Sequence, residues 1–321
     1  MGIAILSGIL TSLREIHGPR PLQAPLASGT TTPHDEVPAR LPSRFIACVR
    51  RSESAKKVKT ALWDYSSELK VRQHDNVRSV EQSEVVILGC KPWAVRDILA
   101  EPGLKAALDG KLLISICAGV TVSQIQDILS SVEITPSTED TPQESSSASS
   151  WNCTVIRAMP NTASLIRESM TVIATPEPAL AHETQNLVTW IFKRIGDVVY
   201  LPAATMDAST ALCGSGPAFF ALMLEAATDG AVAMGLPRQE AQRMAAQTMR
   251  GAAGLVLNGD HPAVLKDKVT TPGGCTIGGL LVLEEGGVRG NISRAVREAT
   301  VVASQLGQGV QGVNGTRFTR Q

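Results

Sequence analysis

Residues 85–95, VVILGCKPWAV, decide the fold class of this 321-residue chain. Four apolar residues are followed by Gly89, and a short apolar run that ends at a glycine is typical of a buried parallel strand. Pro92 then stands where a proline is well tolerated, in the first turn of a helix. The stretch therefore predicts a strand that passes directly into a helix, the repeating unit of α/β proteins.

The same alternation recurs through the first two thirds of the chain. Further strands are predicted at residues 44–49, 112–116, 154–158, 170–174 and 197–201, and helices at residues 54–70, 95–108, 122–129 and 179–193. Strands that alternate with helices form a mainly parallel sheet with helices on its faces. Residues 1–201 are therefore predicted to be a Rossmann-like α/β domain of the kind that binds dinucleotides.

The pattern changes after Leu201, where strand signals end. Helices are predicted at residues 218–234, 238–257, 277–285 and 292–306, so that residues 202–321 form an all-α domain. A helical domain rich in Ala, Met and Leu beside a dinucleotide domain is expected to be a dimerisation surface. Two polar segments, 17–43 and 136–150, are rich in Pro, Ser and Thr and are expected to be surface insertions.

Composition excludes several classes of function. Lys plus Arg and Asp plus Glu number 30 each, which argues against a nucleic acid or an anionic membrane as partner. No membrane-spanning segment and no signal peptide are expected. The six cysteines are scattered without a CxxC motif, and the histidines lack metal-ligand spacing, so we expect reduced thiols, no metal site and a cytoplasmic location.

The first residues, MGIAILSGIL, are predicted to be a helix because Leu6, Ile9, Leu10 and Leu13 recur on one face. A dinucleotide domain would have a strand and a Gly-x-Gly turn before this helix, so the first strand is expected to be missing. The hypothesis from the sequence is that Met1 is an internal methionine taken as a start. As written, the chain is expected to bind a dinucleotide poorly.

Residues that follow the predicted strands are candidate cofactor contacts. Arg50, Arg51 and Ser52 come directly after a strand, and such residues suit the 2′-phosphate of NADPH better than the free 2′-hydroxyl of NADH, although Glu53 points mildly the other way. NADPH is therefore expected and NADH remains possible. The other candidates also follow strands: Lys91, Pro92, Ala118, Gly119 and Asn161.

A second candidate site lies in the helical half. Residues 266–276, KDKVTTPGGCT, combine hydroxyl groups with a glycine pair directly before a predicted helix. The free N–H groups at a helix N-terminus favour an anion. The segment is therefore a candidate pocket for the carboxylate of a small substrate, and its alternative interpretation is a plain connection between helices.

Three motifs, in this order and spacing, resemble pyrroline-5-carboxylate reductase. They are Met159-Pro160-Asn161-Thr162, Gly214-Ser215-Gly216-Pro217, and Lys266-Asp267 through Pro272-Gly273-Gly274-Cys275-Thr276, the last followed by the Glu-x-Gly-Gly of residues 284–287. The likeness extends from Met1 to about Gln305, apart from the two polar insertions. One departure is Arg167-Glu168-Ser169, where many members have Gly-Glu-Gly, so the turn there is expected to differ.

The resemblance implies NAD(P)H-dependent reduction of 1-pyrroline-5-carboxylate to L-proline, the last step of proline biosynthesis, by a homo-oligomer. It assigns Arg50, Arg51 and Ser52 to the 2′-phosphate. It assigns Gly2, Asn76, Lys91, Pro92, Ala118, Gly119 and Asn161 to the rest of the dinucleotide, with Gly2 matching the last glycine of the fingerprint. It assigns Thr270, Thr271, Gly273, Gly274 and Cys275 to the substrate carboxylate and makes Thr276 the catalytic residue, hydrogen-bonded to the imine nitrogen.

Two alternatives remain open. The chain could be a catalytically silent, truncated paralogue that serves as a subunit in an assembly. It could also be a related dehydrogenase acting on hydroxyacids. Those enzymes use a catalytic lysine in the helical domain, whereas Lys266 and Lys268 lie beside a threonine-rich loop that suits an imine reductase better.

Overall fold

The computed structural model describes residues 1–17, 37–132, 151–310, 312–313 and 315–316. Of the two predicted insertions, 136–150 lies outside the described residues, as does most of 17–43. Within the latter, residues 37–43 are described and lie in neither a helix nor a strand, while His17 is the last residue of a helix.

The strands all lie between residues 45 and 201 of the described chain. They are Phe45–Val49 (β1), Leu69–Gln73 (β2), Val85–Leu88 (β3), Leu112–Ser115 (β4), Thr154–Met159 (β5), Ser169–Ala174 (β6) and Gly196–Leu201 (β7). β1 and β2 form one parallel pair, and β3-β4-β5-β6-β7 form a five-stranded sheet. Pairing in the larger sheet is parallel except between β5 and β6. The predicted Rossmann-like sheet is thus confirmed.

In the first half of the chain, the first helix precedes β1 and the other helices lie between strands. They are Gly2–His17 (α1), Ser52–Ala61 (α2), Asn76–Glu81 (α3), Val95–Leu99 (α4), Leu104–Ala107 (α5), Val122–Ser131 (α6) and His182–Lys193 (α7). Helices alone follow β7 in the described chain: Met206–Ser209 (α8), Gly216–Ala233 (α9), Arg238–Leu257 (α10), Pro262–Val269 (α11), Cys275–Glu285 (α12) and Val288–Gly307 (α13). The predicted all-α second half is confirmed.

The helix predicted over residues 54–70 is wrong in its second part. α2 ends at Ala61, a single 3₁₀ turn covers Trp63–Tyr65, and strand β2 begins at Leu69. The hydroxyl of Tyr65 lies 2.7 Å from that of Thr11 on α1, which holds the turn against the first helix. Similarly, the helix predicted over residues 95–108 is divided at Gly103, which has a φ of +85°.

The sheet is interrupted between β1 and β3, which share no backbone pairing within the described chain. Both strands nevertheless contribute to one hydrophobic core with α1 and α7. α1 joins the two parts, because Arg14 pairs with Glu68 beside β2 and Gly8 packs against the turn before β7. A Cβ on Gly8 would lie 2.7 Å from the carbonyl oxygen of Arg194, so this close approach requires glycine.

The opposite face of the sheet is covered by α4, α5 and α6. Leu99, Ile125 and Leu129 from these helices are almost fully buried against Leu113 of β4 and Val155 of β5. A smaller hydrophobic cluster lies nearer the helical half. In this cluster, Met206 of α8 is completely buried against β6. The carboxyl ends of β3, β4 and β5 are thereby held at one rigid edge.

The helical half leaves much of its apolar surface exposed in the single chain. The continuous helical stretch Ala203–Ala233 has 31 residues, and only 11% of its most apolar 18-residue window is buried. By length and composition alone this stretch could cross a membrane, so the prediction that no segment approaches the length of a membrane span is wrong, whereas the absence of a membrane partner stays a prediction. Exposed apolar helical faces also mark contacts between proteins.

Candidate active site

Lys91, Ala118 and Asn161 lie at the same edge of the sheet. Leu88 pairs with Ser115, and Ser115 pairs in turn with Arg157, so that β3, β4 and β5 end side by side. In open α/β sheets this edge is where ligands bind. The structure therefore brings together three of the strand-end turns that the sequence predicted as cofactor contacts.

Lys91 and Pro92 begin a short 3₁₀ turn directly after β3. Lys91 is extended and exposed, and Pro92 is the first residue of the turn Pro92–Ala94. The Lys91 ammonium lies 5.9 Å from the centre of the Trp93 ring, near enough for a weak cation–π contact. Its charge is therefore displayed to solvent at the sheet edge, where it could meet an anionic ligand.

Asn161 is buried and stabilises the turn that follows β5. Its side-chain oxygen accepts a hydrogen bond from the backbone N–H of Ala163 at 2.9 Å, and its own N–H donates to Ser169 Oγ at 3.0 Å. These bonds cap the 3₁₀ turn Thr162–Ile166. Asn161 therefore shapes the turn after β5 in addition to being a candidate cofactor contact.

Gly119 has a φ of +74° and touches the far end of the chain. A Cβ on it would lie 3.3 Å from Gly307, the last residue of α13. Gln124 closes a capping box with Thr121 at the start of α6, and its amide nitrogen donates to the carbonyl oxygen of Gly307 at 2.8 Å. The capping box is visible in the sequence, but its contact with α13 is not.

The residues predicted to read the 2′-phosphate follow β1. Arg51 precedes α2 in an extended conformation, Ser52 is the first residue of that helix, and both are exposed together with Arg50. Asn76 begins α3 after β2 and donates a 2.7 Å hydrogen bond to Glu101. Gly2 is the first residue of α1, and a Cβ on it would meet no atom within 4 Å.

The predicted substrate loop joins α11 to α12 as expected. Thr270 directly follows α11 and donates through its hydroxyl to the Lys266 carbonyl at 2.7 Å. Gly273 has a φ of +68°, and Gly274 is the N-cap of α12.

The first turn of α12 begins with Cys275 and then Thr276. Thr271 reaches back toward this turn, since its carbonyl accepts from the Gly274 N–H at 3.1 Å. The Thr271 hydroxyl lies close to Gly274, and Thr276 is in the first turn of the helix, so the free N–H groups of the helix start and these hydroxyls suit a carboxylate.

The structure does not join this loop to the sheet edge within one chain. In the described residues, the hydrogen bonds of residues 270–274 connect the loop with itself and with α11. α12 makes its main helix contact with α13. The two halves of the predicted site are thus built separately.

Two groups near the sheet edge, a pair of cysteines and a buried arginine, are not evident from the sequence as functional candidates. The sulfurs of Cys90 and Cys117, one after each of β3 and β4, lie 3.9 Å apart. Arg157 on β5 is 5% exposed and lies 3.8 Å from Asp207 of α8. Burial lowers the pKa of the Arg157 guanidinium, and the charge of Asp207 opposes that shift. The feature of the sequence that could have indicated Arg157 is a single arginine within an otherwise apolar strand.

Known protein families match both halves of the chain. Residues 203–306 match the family described as pyrroline-5-carboxylate reductase dimerisation. Residues 26–119 match the family described as NADP oxidoreductase, coenzyme F420-dependent. The sheet edge described above, up to Gly119, lies within the second match, and the threonine loop lies within the first.

Individual proteins resemble the chain over nearly its whole length. A pyrroline-5-carboxylate reductase of Lophium arboricola is 65% identical over 319 residues, covering 99% of this chain and 94% of that one. The solved structure of a pyrroline-5-carboxylate reductase from Coxiella burnetii is 25% identical with a TM-score of 0.69, covering 94% and 95% of the two chains. The fold is also that of a Plasmodium falciparum pyrroline carboxylate reductase with NADP bound, at 23% identity and a TM-score of 0.65, covering 82% and 98%. On these likenesses, the chain belongs to the pyrroline-5-carboxylate reductase family.

Proposed function

We propose that the chain reduces 1-pyrroline-5-carboxylate to L-proline with NADPH. The observation that carries this proposal is the threonine and glycine loop that caps α12, in a chain whose parallel sheet ends in dinucleotide-type turns. The loop supplies N–H and hydroxyl donors for a small carboxylate, and the sheet edge supplies the platform for a nicotinamide cofactor. Family membership supports the pairing of these two sites in one reaction.

The residues at the sheet edge fit a phosphorylated dinucleotide. Gly2 leaves open space at the start of α1, where a pyrophosphate would approach a helix N-terminus. Arg50, Arg51 and Ser52 offer exposed charge and hydroxyl groups after β1, which favours NADPH over NADH. Lys91, Pro92, Ala118, Gly119, Asn161 and Asn76 are the further proposed contacts of the cofactor.

The cofactor, when bound, supplies a hydride to the imine carbon of the substrate. The protein's own task is to hold the substrate carboxylate, for which we propose the N–H and hydroxyl groups of Thr270, Thr271, Gly273, Gly274 and Cys275. Thr276 would hydrogen-bond the imine nitrogen. A protonated cyclic imine is already electrophilic, so that orientation contributes more than a strong general acid.

The active unit is proposed to be a homo-oligomer formed through residues 202–321, with residues 1–201 as the cofactor domain. The match of residues 203–306 to a dimerisation family supports this, and so does the exposed apolar surface of α9 and α12. An oligomer also offers a route by which the loop of one chain could meet a cofactor domain. Proline biosynthesis, a cytoplasmic location and the absence of nucleic acid or membrane partners complete the proposal.

The test is a substrate comparison with a matched pair of variants. The purified chain should oxidise NADPH with 1-pyrroline-5-carboxylate and not with a 2-oxo acid of similar size. Thr276→Ala should lower kcat by roughly tenfold or more, the scale of a lost hydrogen bond to a charged group, while Thr276→Ser keeps most of the rate. Turnover of the 2-oxo acid alone would favour the hydroxyacid dehydrogenase interpretation.

A second candidate is a subunit that assembles without turnover. The observation that favours it is the interruption between β1 and β3, which share no hydrogen bonds in the described chain. Dinucleotide turns require a continuous sheet beside the helix N-terminus. Titration with NADPH separates the candidates, because a silent subunit would oligomerise without binding the cofactor.

A further inference from the structure

Two cysteines stand opposite each other where β3 and β4 end. The paired register runs from Val85 with Leu112 to Leu88 with Ser115. The backbone N–H of Ile116 donates to the Leu88 carbonyl at 3.0 Å, so the ladder continues past the last assigned pair. Two positions further along this register, Cys90 and Cys117 face each other.

The two sulfurs are 3.9 Å apart. The Cys117 sulfur also lies 3.4 Å from the carbonyl oxygens of Leu88 and Cys90, which fixes its direction toward β3. Neighbouring strands are about 4.8 Å apart, and a disulfide spans Cα separations of about 4.4 to 6.8 Å. A bond between these sulfurs therefore requires a local movement of the two turns and no refolding.

We propose that Cys90 and Cys117 form a reversible disulfide when the protein meets a peroxide, and that this bond weakens dinucleotide binding. The second part rests on the proposed function, because it assumes that the flanking turns hold the cofactor. The first part depends only on the positions of the two thiols.

The reaction balances with hydrogen peroxide as the two-electron oxidant. The Cys117 thiolate attacks one peroxide oxygen, the O–O bond breaks, and the departing hydroxide takes a proton to become water. Cys90 then attacks the sulfur of the resulting sulfenic acid, losing its proton to the second hydroxide. Two thiols and one peroxide thus give one disulfide and two water molecules, and a dithiol reductant reverses the change.

The chemistry of the pair supports this order of events. The Cys90 thiol donates a hydrogen bond that stabilises the Cys117 thiolate and lowers the pKa of Cys117 to about 7. The pKa of Cys90 is raised, because losing that proton would break the bond and add a second charge. Cys117 is buried and Cys90 is half-buried, which favours a small oxidant over a bulky disulfide.

The bond would act on the turns proposed for the cofactor. Lys91 directly follows Cys90, and Ala118 with Gly119 directly follows Cys117. Closing the sulfurs from 3.9 Å to the bond length of about 2.05 Å draws these two turns together. Gly119 already packs against Gly307, so the movement meets resistance from α13.

The first experiment maps the bond. The full-length chain is treated with hydrogen peroxide, the remaining thiols are alkylated, and tryptic peptides are identified by mass spectrometry. Trypsin can cleave between the two cysteines at Arg96, so a linked pair of peptides reports the disulfide, and fragmentation of that pair distinguishes Cys117 from Cys153, which lies in the same tryptic peptide. We expect the Cys90–Cys117 pair, lost on treatment with dithiothreitol. Sulfinic acid at Cys117 without linked peptides would overturn the proposal.

The second experiment measures the dissociation constant of NADPH before and after oxidation. It should rise by at least tenfold in the original chain and in Cys48→Ser, a control at a half-buried thiol on β1. In Cys90→Ser the ratio should stay near one. Equal weakening in Cys90→Ser, with oxidation mapped to the exposed Cys275, would contradict the proposal. If the reduced chain binds no NADPH, the proposed function is wrong. The formation of the Cys90–Cys117 disulfide is then tested by the peptide mapping alone.

Discussion

Gly119, in the turn after β4, and Gly307, at the end of α13, pack so closely that Gly307 has no room for a β-carbon and one on Gly119 would make a tight contact. A Cβ on Gly307 would lie 2.8 Å from the carbonyl oxygen of Gly119. The side chain of Gln124 reinforces the contact through its hydrogen bond to the Gly307 carbonyl. The last helix of the chain is therefore seated directly on a turn proposed to hold the cofactor, which couples the helical half to the sheet edge.

Gly307→Ala should loosen this contact. The added methyl group forces α13 away from the turn, and we expect the free energy of unfolding to fall by about 1–3 kcal/mol. Gly290→Ala is the matched control on the same helix, because a Cβ there meets no atom within 4 Å. Chemical denaturation of both variants checks the prediction. Equal stability of the two variants would show that the contact is unimportant.

Gly196→Ala should be more damaging, because Gly196 opens β7 beside β6. Its φ is +146°, and a Cβ would lie 2.0 Å from the carbonyl oxygen of Ser169. No side-chain movement relieves a clash with backbone, so we expect a loss above about 3 kcal/mol or an insoluble chain. Gly110→Ala, at a positive φ in open space, should cost only about 1–2 kcal/mol. Denaturation midpoints of the soluble fractions distinguish the two.

Arg51→Ala should change the preference between cofactors. If Arg51 meets the 2′-phosphate, its loss should raise the KM for NADPH by about tenfold, since hydrogen bonds to charged groups contribute about 1.5–3 kcal/mol. The KM for NADH should change little. Lys56→Ala removes an equivalent exposed charge from α2 and serves as the control. An equal rise of the KM for NADPH and for NADH would show that Arg51 does not recognise the 2′-phosphate.

The rate of Cys117 oxidation should depend on pH with a midpoint near 7. The thiolate is the reactive form, and the hydrogen bond from Cys90 lowers the pKa of Cys117 from 9.0 to about 7. The rate with peroxide should therefore rise from pH 6 to about 8 and then level off. In Cys90→Ala the hydrogen bond is absent, so the midpoint should move upward. Quantitative mass spectrometry of the Cys117 peptide over time gives the rates.

The strands with continuous apolar runs were predictable, and β2 was not. Leu112–Ser115 is buried throughout, Val85–Leu88 is half-buried except for the buried Leu88, and both apolar runs are bounded by residues that break regular structure. The sequence of β2, LKVRQ, has only Leu69 and Val71 as apolar residues, and its Lys, Arg and Gln are good helix formers. Its strand conformation depends on pairing with β1, a tertiary effect that local pattern does not contain.

The candidate site, like the fold, has some parts that local sequence predicts and others that it does not. Turns at strand ends and the loop before α12 follow from local sequence, because each is a break next to a strongly patterned element. The contact of Gly119 with Gly307 and the approach of Cys90 to Cys117 depend on how distant segments pack. Strand register links the two cysteines, which are 27 residues apart, and register is invisible until the strands are paired.

The ratio of L-proline formed to NADPH consumed is the decisive test of the proposed reaction. The purified chain is incubated with NADPH and 1-pyrroline-5-carboxylate, and NADPH loss and L-proline formation are measured in the same sample. We expect one L-proline to form for each NADPH consumed, with a rate that falls sharply in Thr276→Ala and much less in Thr276→Ser. NADPH binding without any proline formation, by an intact oligomer, would contradict it.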